Sequence, residues 1–237
     1  MQTKEFWAGV KAELPLLIGV FPFGLIYGVL AMGAGLSTTQ AQAMSSIVFA
    51  GSSQFIATQL IGAGAPASIL ILTIAIVNLR HALYSASLAP YIKKLSPAWK
   101  GILAYLLTDE AYAISITHYE RGGDIRLKNW FFLGAGLGLW TTWQISTAVG
   151  IFLGAVVPPG WSLDFTLALT FIALVVPRLA DSPSLAAALS AGVTAVAAFN
   201  LPYKLGILVA AFVGIVVGLG LETRKSISGQ KGAPAPK

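Results

Sequence analysis

The chain has 237 residues, of which 56% are hydrophobic and 10% charged, with a mean hydropathy of +0.78. An ordinary soluble protein carries roughly 25% charged residues, so this chain cannot clothe a soluble surface of its size. Apolar content this high excludes disorder, and zero cysteines exclude a disulfide scaffold. The net charge of +6 is spread along the chain without a basic stripe, which argues against nucleic acid as a partner.

Charges punctuate long neutral runs: residues 14–79, 129–163 and 182–203 hold none. A hydrocarbon layer ~30 Å thick needs about 20 apolar residues of helix. The runs therefore predict an all-α, polytopic transmembrane bundle with segments at 14–35, 38–62, 65–92, 98–119, 129–157, 163–181, 183–201 and 204–221. They lack the polar/apolar alternation of a membrane barrel. Lys4 and Lys11 ahead of Leu14 resemble a signal peptide, but the apolar stretch is too long for an h-region and no small-x-small site follows. It is expected to stay as the first span. Residues 2–13 read as an amphipathic lead-in to one membrane domain over 1–221, with 222–237 a disordered basic tail.

Three basic groups stand out: Lys4/Lys11, Lys93/Lys94/Lys100 and the C-terminal tail. The positive-inside rule puts all three in the cytoplasm, yet odd numbers of segments separate them. A re-entrant or broken segment in each interval restores agreement. Segment 38–62 is studded with Ser and Gln and carries Gly51-Ser52-Ser53-Gln54 at its middle; Pro177-Arg178 and Asp181-Ser182-Pro183 interrupt the run 165–199. A broken hairpin in each half implies an inverted repeat. Arg121, Arg126 and Lys128, on a loop that this topology places outside, count against it.

Arg80 and His81 fall near the middle of segment 65–92, and Asp109 and Glu110 at similar depth in 98–119. Each such ion costs about 2.5–3.5 kcal/mol at a helix centre on insertion scales. The short connection 93–97 makes the two segments an antiparallel hairpin, which brings Arg80 within reach of Asp109 or Glu110. One acid then neutralises Arg80 while its neighbour, about 100° around the helix, faces a cavity and exchanges a proton. Asn78, His81, Tyr84 and Ser85 share adjoining polar faces with Arg80. For Arg80 with Asp109, the bland alternative is a bridge that only joins two helices. His81 reads equally well as a core histidine, Thr141, Thr142 and Gln144 as interhelical glue, and Arg178 as an interfacial snorkel. Four small-residue pairs, Gly24/Gly28, Gly134/Gly138, Gly150/Gly154 and Gly214/Gly218, indicate close packing within the chain or against a second subunit.

The blocks Phe49-Ala50-Gly51-Ser52-Ser53-Gln54-Phe55, Asn78-Leu79-Arg80-His81-Ala82-Leu83-Tyr84 and Leu107-Thr108-Asp109-Glu110 resemble the AzlC family, from about Leu14 to Leu221. That resemblance implies the large subunit of a branched-chain amino-acid exporter, partnered by a small AzlD-like membrane protein and driven by protons, without a cofactor or metal. The residues themselves suggest a pathway. A zwitterion at mid-membrane needs an anion-friendly and a cation-friendly group beside apolar surface. Ser52, Ser53, Gln54, Asn78 and Arg80 are candidates for the carboxylate, Asp109 or Glu110 for the ammonium group or the proton, with His81 nearby and Phe55 and Tyr84 bordering the side chain. A channel or passive assembly subunit is the alternative. An intramembrane enzyme is a weaker one, since the chain has no Gly-x-Ser-x-Gly elbow, His-Glu-x-x-His motif or cysteine.

Overall fold

The computed structural model describes residues 1–122, 127–155, 176, 179, 181–202 and 205–231, and every regular element among them is helical. The chain divides into two compact units, Met1–Leu163 and Asp164–Lys237. In the first unit lie α1 (Gln2–Gly33), α2 (Thr38–Val48), α3 (Gly51–Gly62), α4 (Ala67–Ile92), α5 (Pro97–Tyr105), α6 (Asp109–Glu120) and α7 (Lys128–Gly154). The second holds α8 (Ser182–Ala197) and α9 (Leu205–Lys231). Among the described residues, three stretches are long and apolar enough to cross a bilayer, Gln2–Gly33, Ala67–Ile92 and Leu205–Arg224.

The spine of the first unit is the pair α1 and α7, which run parallel in a constant register. Gly9 meets Phe131 and Ala135, Gly24 meets Ser146, Gly28 meets Thr147 and Ile151, and Gly154 meets Val29. A methyl group at Gly9 would fall 2.0 Å from the Phe131 carbonyl oxygen, and one at Gly150 2.1 Å from that of Leu25. Three of the small-residue pairs read from the sequence thus bear on packing within the chain: Gly24/Gly28 and Gly150/Gly154 interlock, while Gly134 abuts Phe6.

The other helices can be followed along this spine. From the C-terminal end of α1, α2 runs back: Tyr27 donates to the Ala41 carbonyl at 2.9 Å, and Ser45 pairs with Thr147 at 3.0 Å. The chain turns at Phe49, whose φ of 41° and ψ of 46° lie in the left-handed region, uncommon for a bulky residue. Then α3 returns beside α1, with Phe55 against Phe23 and Tyr27 and Gly62 against Ala34. Next, α4 descends the full length until Tyr91 reaches Tyr119 and Lys128 at the other end. From there α5 rises, Trp99 against Trp130 and Tyr105 against Phe49, and α6 turns back until His118 meets Glu5.

Segment 98–119 is therefore not the single span expected. It is two short helices that reverse at Leu106–Thr108, because Thr108 caps a new helix by accepting from the Ala111 amide at 3.3 Å. Segment 38–62 is also two helices, and its break lies at Phe49–Ala50, just ahead of the expected Gly51–Gln54. As a result Lys4, Glu5, Lys93, Lys94, Lys100, Glu120, Arg121 and Lys128 gather at the N-terminal ends of α1 and α7, while connections 34–37 and 63–66 at the opposite end carry no charge. The loop with Arg121 and Lys128 thus lies at the same end as Lys93 and Lys94, not across from them.

In the second unit α8 and α9 pack antiparallel through small residues, with Gly206 against Ala198 and Gly214 and Gly218 against Ala187. The interruption at Asp181-Ser182-Pro183 is a helix start, since Asp181 accepts from the Ser184 amide at 2.8 Å. Rather than ending at 221, α9 continues through Glu222 to Lys231, the front half of the expected disordered tail; Glu, Thr, Arg and Lys there interpose no Pro or Gly before Gly229. Pro177-Arg178, Arg126, most of segment 163–181 and residues 232–237 lie outside the described residues.

Gly150→Ala forces a clash with Leu25 backbone and should cost about 1–3 kcal/mol or more. Gly19→Ala, with nothing within 4 Å, should be neutral or slightly stabilising. Melting of the two variants in detergent, followed by fluorescence-detected gel filtration, checks this; equal behaviour would remove the close α1–α7 approach.

Candidate functional site

The tips of the two reversals meet at the middle of α4. There Arg80 Nη1 pairs with Asp109 Oδ2, while Nη2 donates to Ser52 Oγ at 2.7 Å. One guanidinium thus bridges the first turn of α3 and the first residue of α6. Ser53 Oγ donates to Asn78 Oδ1 at 2.7 Å, a second clasp between α3 and α4. The side chains of Arg80 and Asp109 are each 29% exposed, so the pair lies in the interior by position along α4 yet is open on one side. Among the described residues, the buried atoms Arg80 Nε and Asp109 Oδ1 have no hydrogen-bond partner, so the chain does not fully satisfy either ion.

Local sequence explains the placement. Ala50 precedes α3 and offers no side-chain cap, so the first amides of Gly51, Ser52 and Ser53 point out of the helix end beside Arg80. That end carries the positive partial charge of the helix. Thr108, by contrast, caps α6, whose first turn holds Asp109 and Glu110, where acids complement the dipole. Asp109 turns to Arg80; Glu110, next on the helix, interacts with the carboxylate of Glu13 on α1.

The remaining expected residues divide. Tyr84 stacks on Tyr112 with centroids 4.5 Å apart, and Tyr112 donates to Ser87 at 2.9 Å, an aromatic wall one turn along from Arg80. His81 sits edge-on to Tyr84 and its Nδ1 lies 3.2 Å from the Asn78 carbonyl. Gln54 is fully buried and accepts from Trp143 Nε1 at 3.1 Å, which ties α3 to the spine. Phe55 is 1% exposed in the core between Phe23 and Tyr27. So Ser52, Ser53, Asn78, Arg80 and Asp109 form one constellation flanked by His81, Tyr84 and Glu110, while Gln54 and Phe55 support it from behind. Gln144 serves as interhelical glue, bonded to Gln42 at 2.7 Å and Ser46 at 2.9 Å.

Glu13 was missed by the sequence reading, which makes it the last residue of a lead-in. It is completely buried in a continuous α1. The signal available was the apolar pattern on both sides of it, with no cap or glycine to end one helix and begin another.

These features define a helical membrane protein with a part-buried ion pair where helix ends meet. The chain belongs to the AzlC family: the family model described as AzlC protein matches residues 15–157. It is 30% identical to the inner membrane protein YgaZ of Escherichia coli (strain K12), over 91% of this chain and 89% of that one. An uncharacterized membrane protein of Archaeoglobus fulgidus is 32% identical over 90% of this chain and 94% of its own. The branched-chain amino acid transport protein AzlC of Bacillus subtilis (strain 168) is 28% identical over 75% of this chain and 70% of its own length. No solved structure matches the chain.

Arg80→Ala and Asp109→Ala should each destabilise the protein, because either leaves the other ion unpaired. The double variant should recover part of the loss, with a coupling of about 0.5–3 kcal/mol in a double-mutant melting cycle. Simply additive losses would mean that the two ions do not support each other.

Proposed function

We propose that this protein exports branched-chain or similar hydrophobic amino acids from the cytoplasm, coupled to the proton gradient and acting with a small AzlD-like membrane subunit. The observation that carries the reading is the Arg80–Asp109 pair, open on one side and set beside the uncapped first turn of α3. A zwitterionic substrate satisfies both halves at once: its carboxylate meets Arg80 and the free amides of α3, and its ammonium group meets Asp109. Tyr84 and Tyr112 supply apolar surface beside the pair for an aliphatic side chain. Membership of the AzlC family, with a relative named for branched-chain amino acid transport, favours this substrate class. It equally favours a transporter over an enzyme.

In this reading α1 and α4 cross the membrane, α7 crosses with α1 because it runs parallel to it along its length, and the hairpins α2–α3 and α5–α6 enter from opposite faces to meet at mid-depth. The units α1–α2–α3 and α4–α5–α6 are then an inverted repeat, each a long helix followed by a half-depth hairpin. The boundaries of this repeat differ from those the sequence suggests, because both hairpins precede residue 121. The end rich in Lys and Arg faces the cytoplasm. Backbone that turns at membrane depth is admissible here because protein covers it.

Inverted vesicles containing this chain and a small partner should accumulate labelled valine, and not a charged amino acid, when a proton gradient is imposed. Asp109→Asn should abolish that accumulation. No valine uptake under any gradient, or uptake untouched by Asp109→Asn, would overturn the reading. The topology has its own check, since the chain has no cysteine to remove. A membrane-impermeant maleimide should label Ala63→Cys from outside intact cells, and Lys94→Cys and Arg121→Cys only in inverted vesicles. If α2–α3 and α5–α6 were instead full crossings, Ala63→Cys and Lys94→Cys would exchange sides.

A further inference from the structure

The mechanism above uses Arg80 and Asp109 and leaves one buried acid without a role. Glu13 is completely buried, and among the described residues neither of its carboxyl oxygens has a hydrogen-bond partner. An ionised carboxylate so placed would bear its full desolvation cost with nothing to offset it.

What faces Glu13 follows from register. α1 and α6 run antiparallel, with Glu5 and His118 in contact at 2.8 Å. Moving eight residues up α1 from Glu5 and eight back along α6 from His118 brings Glu13 opposite Glu110, and the two carboxyl groups interact electrostatically. Arg80 on α4 bears on Glu110 but is held by Asp109 and Ser52, and no cation pairs with Glu13 among the described residues. α7 contributes only Lys128, which donates to the Tyr119 carbonyl at 3.1 Å near the charged end. α2 and α3 hold no acid, base or tyrosine, and Lys11 on α1 itself is exposed. Asp109 adds only further negative charge, already matched by Arg80. Glu13, fully buried and facing a second acid with no cation of its own, reaches a tolerable state when it holds a proton. Further along α6, Ser115 is fully buried and its hydroxyl also lacks a partner among the described residues. It lies between this pair and the His118–Glu5 contact at the charged end, and so marks a polar track along α6.

We propose that Glu13 and Glu110 form a carboxyl pair that holds one proton between α1 and α6, and that this proton is the coupling ion of the transport cycle. The step is uptake and release of H⁺ alone: a carboxyl O–H bond forms and breaks, and no other bond changes. Its coupling role rests on the export reading, whereas the proton site does not. Loss of the proton places two negative charges in one buried space and pushes α1 and α6 apart, and α6 carries Asp109. Deprotonation would thereby disturb the substrate pair from a distance.

The test is infrared difference spectroscopy of the full-length protein in lipid, with valine flux measured on the same samples. The wild type should show the carbonyl stretch of a protonated carboxyl group near neutral pH that fades as pH rises. That band should be lost in Glu13→Gln and shifted in Glu110→Gln, and Glu13→Gln should exchange valine across the membrane while losing accumulation against its gradient. A band unchanged in both variants overturns the proton site, and normal uphill accumulation by Glu13→Gln overturns the coupling role. A band that depends on Glu13 in a protein that moves no valine supports the proton site and fails the export reading alone. If Glu13→Gln does not fold, Glu110→Gln carries the test: an unshifted band overturns the pair.

Discussion

Everything in the first unit answers to one constraint: polar backbone and charged side chains amid apolar surroundings must find partners inside the protein. The reversals α2–α3 and α5–α6 expose helix ends far from the ends of the spine, and all but the uncapped start of α3 are met by side chains. The last carbonyls of α2 accept side chains from other helices, Ser45 O from Gln144 at 3.2 Å and Ser46 O from the Tyr105 hydroxyl. Trp140 Nε1 donates to the same tyrosine oxygen at 2.7 Å, so the tip of one reversal is bolted to the other and to α7. Arg80 and Asp109 complete the arrangement where no backbone group could, since a guanidinium reaches two helix starts at once.

The spine makes this possible by being narrow. Glycines at 9, 28, 134 and 150 let α1 and α7 backbones approach to where a methyl group would overlap a carbonyl. Such proximity replaces hydrophobic attraction, which lipid weakens, with dispersion over a long interface. It also frees the flanks of α1 and α7 for short helices. Tyr27 shows the consequence: stacked on Trp143 at 6.1 Å and fully buried, it holds α2 through its hydroxyl and α3 through its ring.

Much of this was legible in the sequence because charge is so scarce there. The runs that end at Arg80 and at Glu222 locate α4 and α9, and the polar density of 38–62 marks a break in otherwise apolar chain. The pairing of Arg80 with Asp109 followed from depth alone. What escaped was the second reversal. Leu106-Leu107-Thr108-Asp109-Glu110 reads as apolar chain with two acids dropped in, yet threonine followed by two acids is also a helix start. Taking it as a site rather than as a start hid the turn. The conflict posed by Arg121 and Lys128 was the trace of that error, since charge placement counts crossings and a missed reversal changes the count by one. Phe55 packs in the core against Phe23 and Tyr27 although its sequence block also holds Ser52 and Ser53, since a helix points neighbours in different directions.

The two reversals are built alike but finished differently, and that difference gives the site its polarity. α3 starts at Ala50, which has no side chain to occupy its free amides, and its first turn holds neutral Ser52 and Ser53. α6 starts at Thr108, which fills one amide, and its first turn is doubly acidic. An uncapped end beside a guanidinium attracts negative charge; a capped, acidic end repels it. The meeting point is therefore a dipole, not a neutral junction, and it matches the charge separation of a zwitterion in kind. A helix start with a serine cap in place of Ala50 would have satisfied the backbone more fully and left nothing for a ligand to complete.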